Sequence, residues 1–164
     1  MSKRKAIPVS AERARALLDY DPETGVLRWK DLRGGHYKGA IAGGVKRNEC
    51  GSYITIKIDQ QRYYAHRIIW LLMTGAYPAV VIDHRDGCGT NNAWRNLREA
   101  THAENVMNAR RHGGKPTGVF FEKRRGKFLA RLGKRHLGYF ATQDAARQAY
   151  DSAARARFGE FVRT

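Results

Sequence analysis

Residues 82–105, IDHRDGCGTNNAWRNLREATHAEN, leave the backbone few choices. They continue from VVID at 80–83, an apolar run short enough for a buried strand. Asp86-Gly87, Gly89 and Asn91-Asn92 come next, residue types that form turns by bending the chain or bonding their own backbone. Thr101-His102-Ala103-Glu104 then has the S/T-x-x-E form of a capping box, which starts a helix at His102 and sets Asn105 one turn inside it. Strand, polar loop and capped helix must therefore succeed one another.

Loop formers alone would make this stretch a turn without chemistry. A calcium loop fails on spacing, because no register puts an acid first, a glycine sixth and a glutamate twelfth. Zinc lacks a C-x-x-C pair, and Cys50 and Cys88 read as free thiols. The remaining reading is chemical. Where strand end and helix converge, Asp83 and Asn105 offer two oxygen ligands to a hard divalent cation such as Mg2+, with Mn2+ as a substitute. His84 has a reference pKa near ~6.5 and, when neutral, accepts a proton from water. Asn96 lies between them, able to hold the loop and orient the imidazole. His102 reads as an exposed residue at a helix start or a phosphate contact, with a metal ligand as the alternative. Base, metal and positive surface together describe phosphodiester hydrolysis.

Charge points to the same partner. Lys and Arg number 31 against 15 acids, and eight of the sixteen excess positive charges fall in residues 113–164. An imbalance so large and uneven predicts a polyanion, most often nucleic acid. At 42% hydrophobic residues a packed core is within reach. No apolar run approaches the roughly 20 residues that cross a bilayer, and MSKRKAIPVS lacks a signal peptide's apolar stretch. A soluble cytoplasmic protein without membrane contact is expected. The oligomeric state is open, and a monomer is compatible with the composition and the motifs.

Four stretches organise the chain. Residues 1–50 hold a helix over 10–18 capped by Ser10, a hairpin of 18–20 and 26–29 around Asp21-Pro22-Glu23-Thr24-Gly25, and a basic loop with six glycines over 31–51. Residues 51–112 carry a second hairpin (53–58 and 61–65), an all-round apolar helix over 66–75 stopped by Gly75 and Pro78, and the 82–105 motif. His66, near the start of that helix, reads as a core or cap residue. Residues 113–117, GGKPT, have linker composition. Residues 118–164 read as three short strands and a helix capped by Thr142, with Ala146, Ala149, Tyr150 and Ala153 on one face. The expected class is α+β.

Two resemblances sharpen this. Asp83-His84, Asp86-Gly87, Asn91-Asn92, Asn96-Leu97-Arg98, Thr101 and Asn105 resemble the HNH endonuclease motif in its His-Asn-Asn, phage and homing-type form. YYAHRIIWLLMTGAYP and YDPETGVLRWK are similar to such proteins too. The resemblance implies a ββα-metal fold around one ion. It makes His84 the general base, Asp83 and Asn105 the metal ligands, and Asn96 the residue that steadies the loop and His84. It also implies 5′-phosphate and 3′-hydroxyl products. The stretch from Gly118 to Phe161 is similar to the APETALA-type DNA-binding domain of plant ethylene-response factors, through Gly118-Val119, Gly126-Lys127-Phe128, Leu137-Gly138, Ala149-Tyr150-Asp151 and Gly159. That resemblance implies a three-stranded antiparallel sheet packed on one helix and entering double-stranded DNA. Arg125 and His136 stand where plant members have tryptophan, so the plant target does not carry over. Lys123, Arg124, Arg125, Lys127, Arg131, Lys134, Arg135 and His136 are the expected DNA contacts. The expectation is a metal-dependent DNA endonuclease. A non-catalytic DNA-binding regulator and an RNA-directed nuclease are the alternatives.

Overall fold

The order α-β-β-β-β-β-α-β-β-α, followed by three more strands and a helix, sets the frame of the computed structural model, which describes residues 8–31, 35, 37–48, 51–108 and 118–162. The expected linker at 113–117 and Cys50 lie outside the described residues. The chain divides into two compact units, Met1–Thr101 and His102–Thr164.

In the first unit, α1 (Ala11–Leu17) starts where the Ser10 hydroxyl accepts the Arg13 N–H at 3.1 Å, and it buries Ala14 and Leu17. Strands β1 (Leu18–Asp21) and β2 (Val26–Trp29) form the expected antiparallel hairpin. Its turn is tied by the Asp21 carboxylate, which accepts from the Glu23 N–H and the Thr24 hydroxyl. The glycine-rich stretch departs from the expected loop. Residues Gly44–Asn48 are a strand, β3, paired with β4 (Gly51–Ile58), and β5 (Gln61–Tyr64) closes the sheet in the order β3-β4-β5. The glycines sit at the end of β3, while Val45, Lys46 and Arg47 lie opposite Ile54, Tyr53 and Ser52, so ladder hydrogen bonds outweigh the local preference for a loop. Asp59 and Gln60 make the β4–β5 turn with φ of 45° and 67°, and Arg13 grips the Asp59 carboxylate through two 2.9 Å contacts.

Helix α2 (Ala65–Thr74) ends at Gly75 in the left-handed conformation, as its sequence signals. Ala65, His66, Ile68, Ile69 and Leu71 are buried, but Met73 is 43% exposed, so the helix is covered on one side rather than all round. Strands β6 (Val81–His84) and β7 (Leu97–Ala100) form a two-stranded antiparallel ladder. β6 is less apolar than VVID suggests. Val80 and Val81 are exposed, and the buried part is Ile82, Asp83 and His84. The core joins Leu17, Leu27, Trp29, Ile56, Ile58, Ile68 and Ile69, and each large side chain removed from water contributes about 1.5–3 kcal/mol.

The second unit begins with α3 (His102–Asn108), starting at the residue the capping box marks. Strands β8 (Val119–Glu122), β9 (Lys127–Leu132) and β10 (Arg135–Phe140) make an antiparallel sheet in the order β10-β9-β8. Helix α4 (Gln143–Phe158) is capped by the Thr142 hydroxyl, which accepts the Ala145 N–H at 3.2 Å. Ala130, Ala146 and Ala154 are fully buried beside Tyr150, Val119 and Leu132. The stripe runs 146, 150, 154, and Ala149 and Ala153 flank it half-buried. Met107 of α3 packs on this core with its sulfur 4.0 Å from the Tyr150 hydroxyl, which places α3 with the tail sheet. Among the described residues no helix is long and apolar enough to cross a membrane.

Candidate active site

Strand alternation sends Asp83 and His84 to opposite sides of the β6–β7 ladder. Asp83 stands opposite Arg98 in the register, and Arg98 Nε donates to Asp83 Oδ2 at 2.8 Å, both side chains being buried. An ion pair removed from water this far holds the carboxylate in one orientation. His84 turns instead toward a ring cluster. Its imidazole meets that of His66 edge-on at 5.1 Å and the Tyr53 ring at 6.2 Å, while Tyr64 stacks on His66 at 5.4 Å.

The loop between β6 and β7 closes on Asp86. Its Oδ1 accepts the Cys88 N–H at 2.7 Å and the Asn96 amide at 3.0 Å, and its Oδ2 accepts the Asn91 amide at 2.7 Å. Burial pushes the Asp86 pKa up, but these hydrogen bonds together outweigh it and hold the carboxylate below its usual range. Asn96 gives its remaining capacity to the Asp86 N–H at 3.1 Å and the Asn91 carbonyl at 2.7 Å. These bonds tie Asn96 across the loop, and no hydrogen bond between Asn96 and the imidazole is among those described. The imidazole meets Asn92, whose Oδ1 lies 3.0 Å from His84 Nε2. Asn96 faces the inside of the turn, where Asp86 consumes both ends of its amide.

Burial lowers the His84 pKa below the ordinary imidazole value, against the opposing pull of Asn92, Asp86 and Asp83. The ring is therefore neutral at neutral pH and able to accept a proton. His66 is pushed down to about 3, by burial first and by His84 and Arg67 next. It is a core residue, as its position suggests, but it does not cap α2. Its Nδ1 is buried without a hydrogen-bond partner among the described residues.

Of the candidate metal ligands, Asp83 is on β6 of the first unit, and Asn105 is half-buried on α3 of the second. One carboxylate and one amide oxygen are hard donors of the kind Mg2+ takes. Among the described residues no group of three or more His, Cys, Asp or Glu gathers to form a metal cage. His102 is exposed at the first position of α3, and Cys88 is an exposed free thiol. The eight basic candidates of the tail, Lys123, Arg124, Arg125, Lys127, Arg131, Lys134, Arg135 and His136, are all exposed. Arg125 lies over the Tyr139 ring at 4.5 Å, and Arg131 stands opposite His136. Two contributors are visible in the sequence only as motif positions: Asn92 and Arg98. The doubled asparagine at 91–92 is the available signal for the first, since one asparagine suffices for the turn.

Residues 63–107, from β5 through α3, match the HNH endonuclease family model. The DNA endonuclease I-HmuI of Bacillus phage SP01 is 29% identical over 104 residues, a match covering 53% of this chain and 60% of that enzyme. No solved structure gives a significant match. The Asp86-centred loop and the buried His84 both fall inside the segment that matches the HNH endonuclease model.

Proposed function

We propose that this chain is a homing-type, metal-dependent endonuclease that hydrolyses phosphodiester bonds of double-stranded DNA. The observation that carries the reading is His84: buried, neutral at neutral pH, and fixed by the Asn92 amide within the segment that matches the HNH model. His84 accepts a proton from water as the water oxygen attacks phosphorus in line, and the 3′ oxygen departs. Arg98 keeps the Asp83 carboxylate oriented, and Asn96 keeps the loop closed behind it. Asp83 and Asn105 would hold Mg2+, with Mn2+ as a substitute, and the ion would supply positive charge against the charge developing on the phosphoryl oxygens. A ββα-metal arrangement of β6, β7 and α3 is part of this proposal.

The tail sheet is proposed to hold the DNA. Lys127 and Arg131 share the outer face of β9 with Leu129, opposite the buried Ala130 and Leu132, and His136 and Tyr139 extend that face on β10. A basic face with aromatic rings suits phosphates and base edges. The APETALA-type likeness supports the same use. The first unit adds a cue of its own: Lys57 and Arg62 stand directly opposite one another on β4 and β5, both on the outer side of the sheet, a like-charge pair that an anionic partner would relieve.

The test is incubation of supercoiled plasmid with the full chain, with Mg2+ and with chelator. Metal-dependent nicking or linearisation that is absent from His84→Ala is expected. Binding without cleavage at any metal concentration would leave a DNA-binding regulator as the better reading.

A further inference from the structure

His84 is held by a residue that the proposed chemistry leaves without a role, and the manner of holding selects one ring nitrogen. Asn92 is 1% exposed and His84 5%, so their 3.0 Å contact is shielded from water. An amide oxygen carries only lone pairs, so this contact is a hydrogen bond only when His84 Nε2 bears the proton. In a neutral imidazole the other nitrogen, Nδ1, then holds the lone pair that takes up a proton.

We propose that Asn92 is a positioning residue that locks His84 in its Nε2–H tautomer, so that Nδ1 is the basic nitrogen, and that the N-terminal hairpin holds Asn92 in place. The inference rests on the reading of His84 as general base. A cost argument supports it. Asn92 Nδ2 is buried without a hydrogen-bond partner among the described residues, a situation worth roughly 1–3 kcal/mol of lost stability. A side chain chosen for packing would avoid that cost, so the amide is kept for its oxygen, which contacts His84.

The backbone of Asn92 is gripped from the far end of the sequence. The Tyr20 hydroxyl donates to the Asn92 carbonyl at 2.9 Å, and burial raises the Tyr20 pKa to about 12, keeping the donor proton in place. The Trp94 N–H donates to the Pro22 carbonyl at 2.8 Å. Gly25, at φ +76°, sits so close that a Cβ would lie 2.3 Å from the Ala93 nitrogen and the Asn92 carbonyl carbon. The first hairpin is thus the back wall of the catalytic loop rather than a separate appendage.

The test uses the full chain labelled with 15N-histidine, with the His84 signals assigned by comparison with His84→Gln. The wild type should show the Nε2–H tautomer. Asn92→Leu should average the two tautomers and lower kcat roughly 10–100-fold. Its KM for DNA should stay within about threefold of wild type, because the lost interaction serves the chemical step. Asn92→Asp, which keeps an acceptor oxygen but adds a negative charge beside the ring, should keep the Nε2–H tautomer and restore kcat at a pH above the raised His84 pKa. Tyr20→Phe should give a smaller, few-fold fall in kcat. An Nδ1–H tautomer in the wild type overturns the proposal, as does an Asn92→Leu protein with unchanged tautomer and kcat. Should Asn92→Leu fail to fold, the wild-type and Asn92→Asp spectra still decide. The tautomer is read without cleavage, so a wild type that cuts nothing would refute the nuclease reading and leave this one to its own spectrum.

Discussion

The two units bury different things. The first fills its core with large side chains, Ile56, Ile58, Ile68, Ile69 and Trp29, and also buries His66, Asp83, His84, Asn92, Asn96 and Arg98. The second closes on Ala130, Ala146 and Ala154 around one tyrosine, and Asn108 is its only buried polar residue among those described. Its polar investment lies outside, in exposed Lys and Arg. A low-dielectric interior is where a carboxylate can be oriented and an imidazole kept neutral, whereas phosphate attraction needs only surface charge. The comparison fits the proposed division, with the buried base and its supports in the first unit and an exposed basic face in the second, whose helix α3 also carries Asn105.

The largest effect should come from removing the base. His84→Ala is expected to lower cleavage by roughly 10²–10⁴ while DNA affinity stays within a few-fold, since a neutral imidazole adds little to phosphate attraction. Single-turnover cleavage beside a binding titration measures both, and cleavage at the wild-type rate breaks the assignment.

Next comes the contrast between buried and exposed ion pairs. Arg98→Leu strips a buried carboxylate of its guanidinium and should cost about 3–5 kcal/mol. Arg147→Ala removes the exposed 3.6 Å pair with Asp151 and should cost less than ~0.5 kcal/mol. Denaturant melts of the two variants that came out equal would erase the distinction between the units.

Acid should act on the first unit. The folded-state pKa values of His66 and His84 are both lowered, so the unfolded chain takes up protons that the folded chain refuses. Their contribution is complete above ~6.5 and fades as pH falls, for His66 until about 3. Down to pH 4 the loss from His66 alone approaches roughly 3 kcal/mol at most. Amide exchange followed segment by segment in the full chain should show α2 and β6 opening first, and His66→Phe should flatten the trend. No such dependence in wild type would mean that His66 is solvated.

The smallest effect is sought on the tail. Lys127→Ala, Arg131→Ala and Lys134→Ala combined should flatten the slope of log affinity against log salt by roughly three units and weaken binding about tenfold or more at moderate salt. Cleavage at matched occupancy should be unchanged. Substitution is preferable to truncation after Arg111, because Met107 of α3 rests on the tail's core and truncation would expose it. An unaltered slope would remove the sheet from the DNA contact.

Much of this was legible in the chain. Ser10, Thr142, Gly75 and the 101–104 box mark helix ends through local bonds, and all four helices start or stop there. In 127–132 Phe128, Ala130 and Leu132 alternate with Lys127, Leu129 and Arg131, and the buried Ala130 and Leu132 belong to the first of these sets. Strand β3 was hidden, because its glycine neighbours argue for a loop and only pairing with β4 opposes them. Within the site, Asp83, His84 and Asn96 could be singled out by type and spacing. That Asn92 also contacts the imidazole could not, since both asparagines belong to one loop and the difference lies in which way each faces.

The sequence by itself determined the features set by neighbours along the chain: the caps, the turns, the strand periods, the excess of positive charge and the identity of the Asp-His pair. These depend on bonds spanning a few residues or on composition. Only the tertiary structure decided that Arg98 faces Asp83, that His66 packs edge-on against His84, and that Tyr20 and Gly25 support Asn92 from the distant N-terminal hairpin. Those contacts are set by how ladders register and cores fill. Many sequences with the same local signals would satisfy the first set, and burial selects the partners that orient Asp83 and keep His84 neutral.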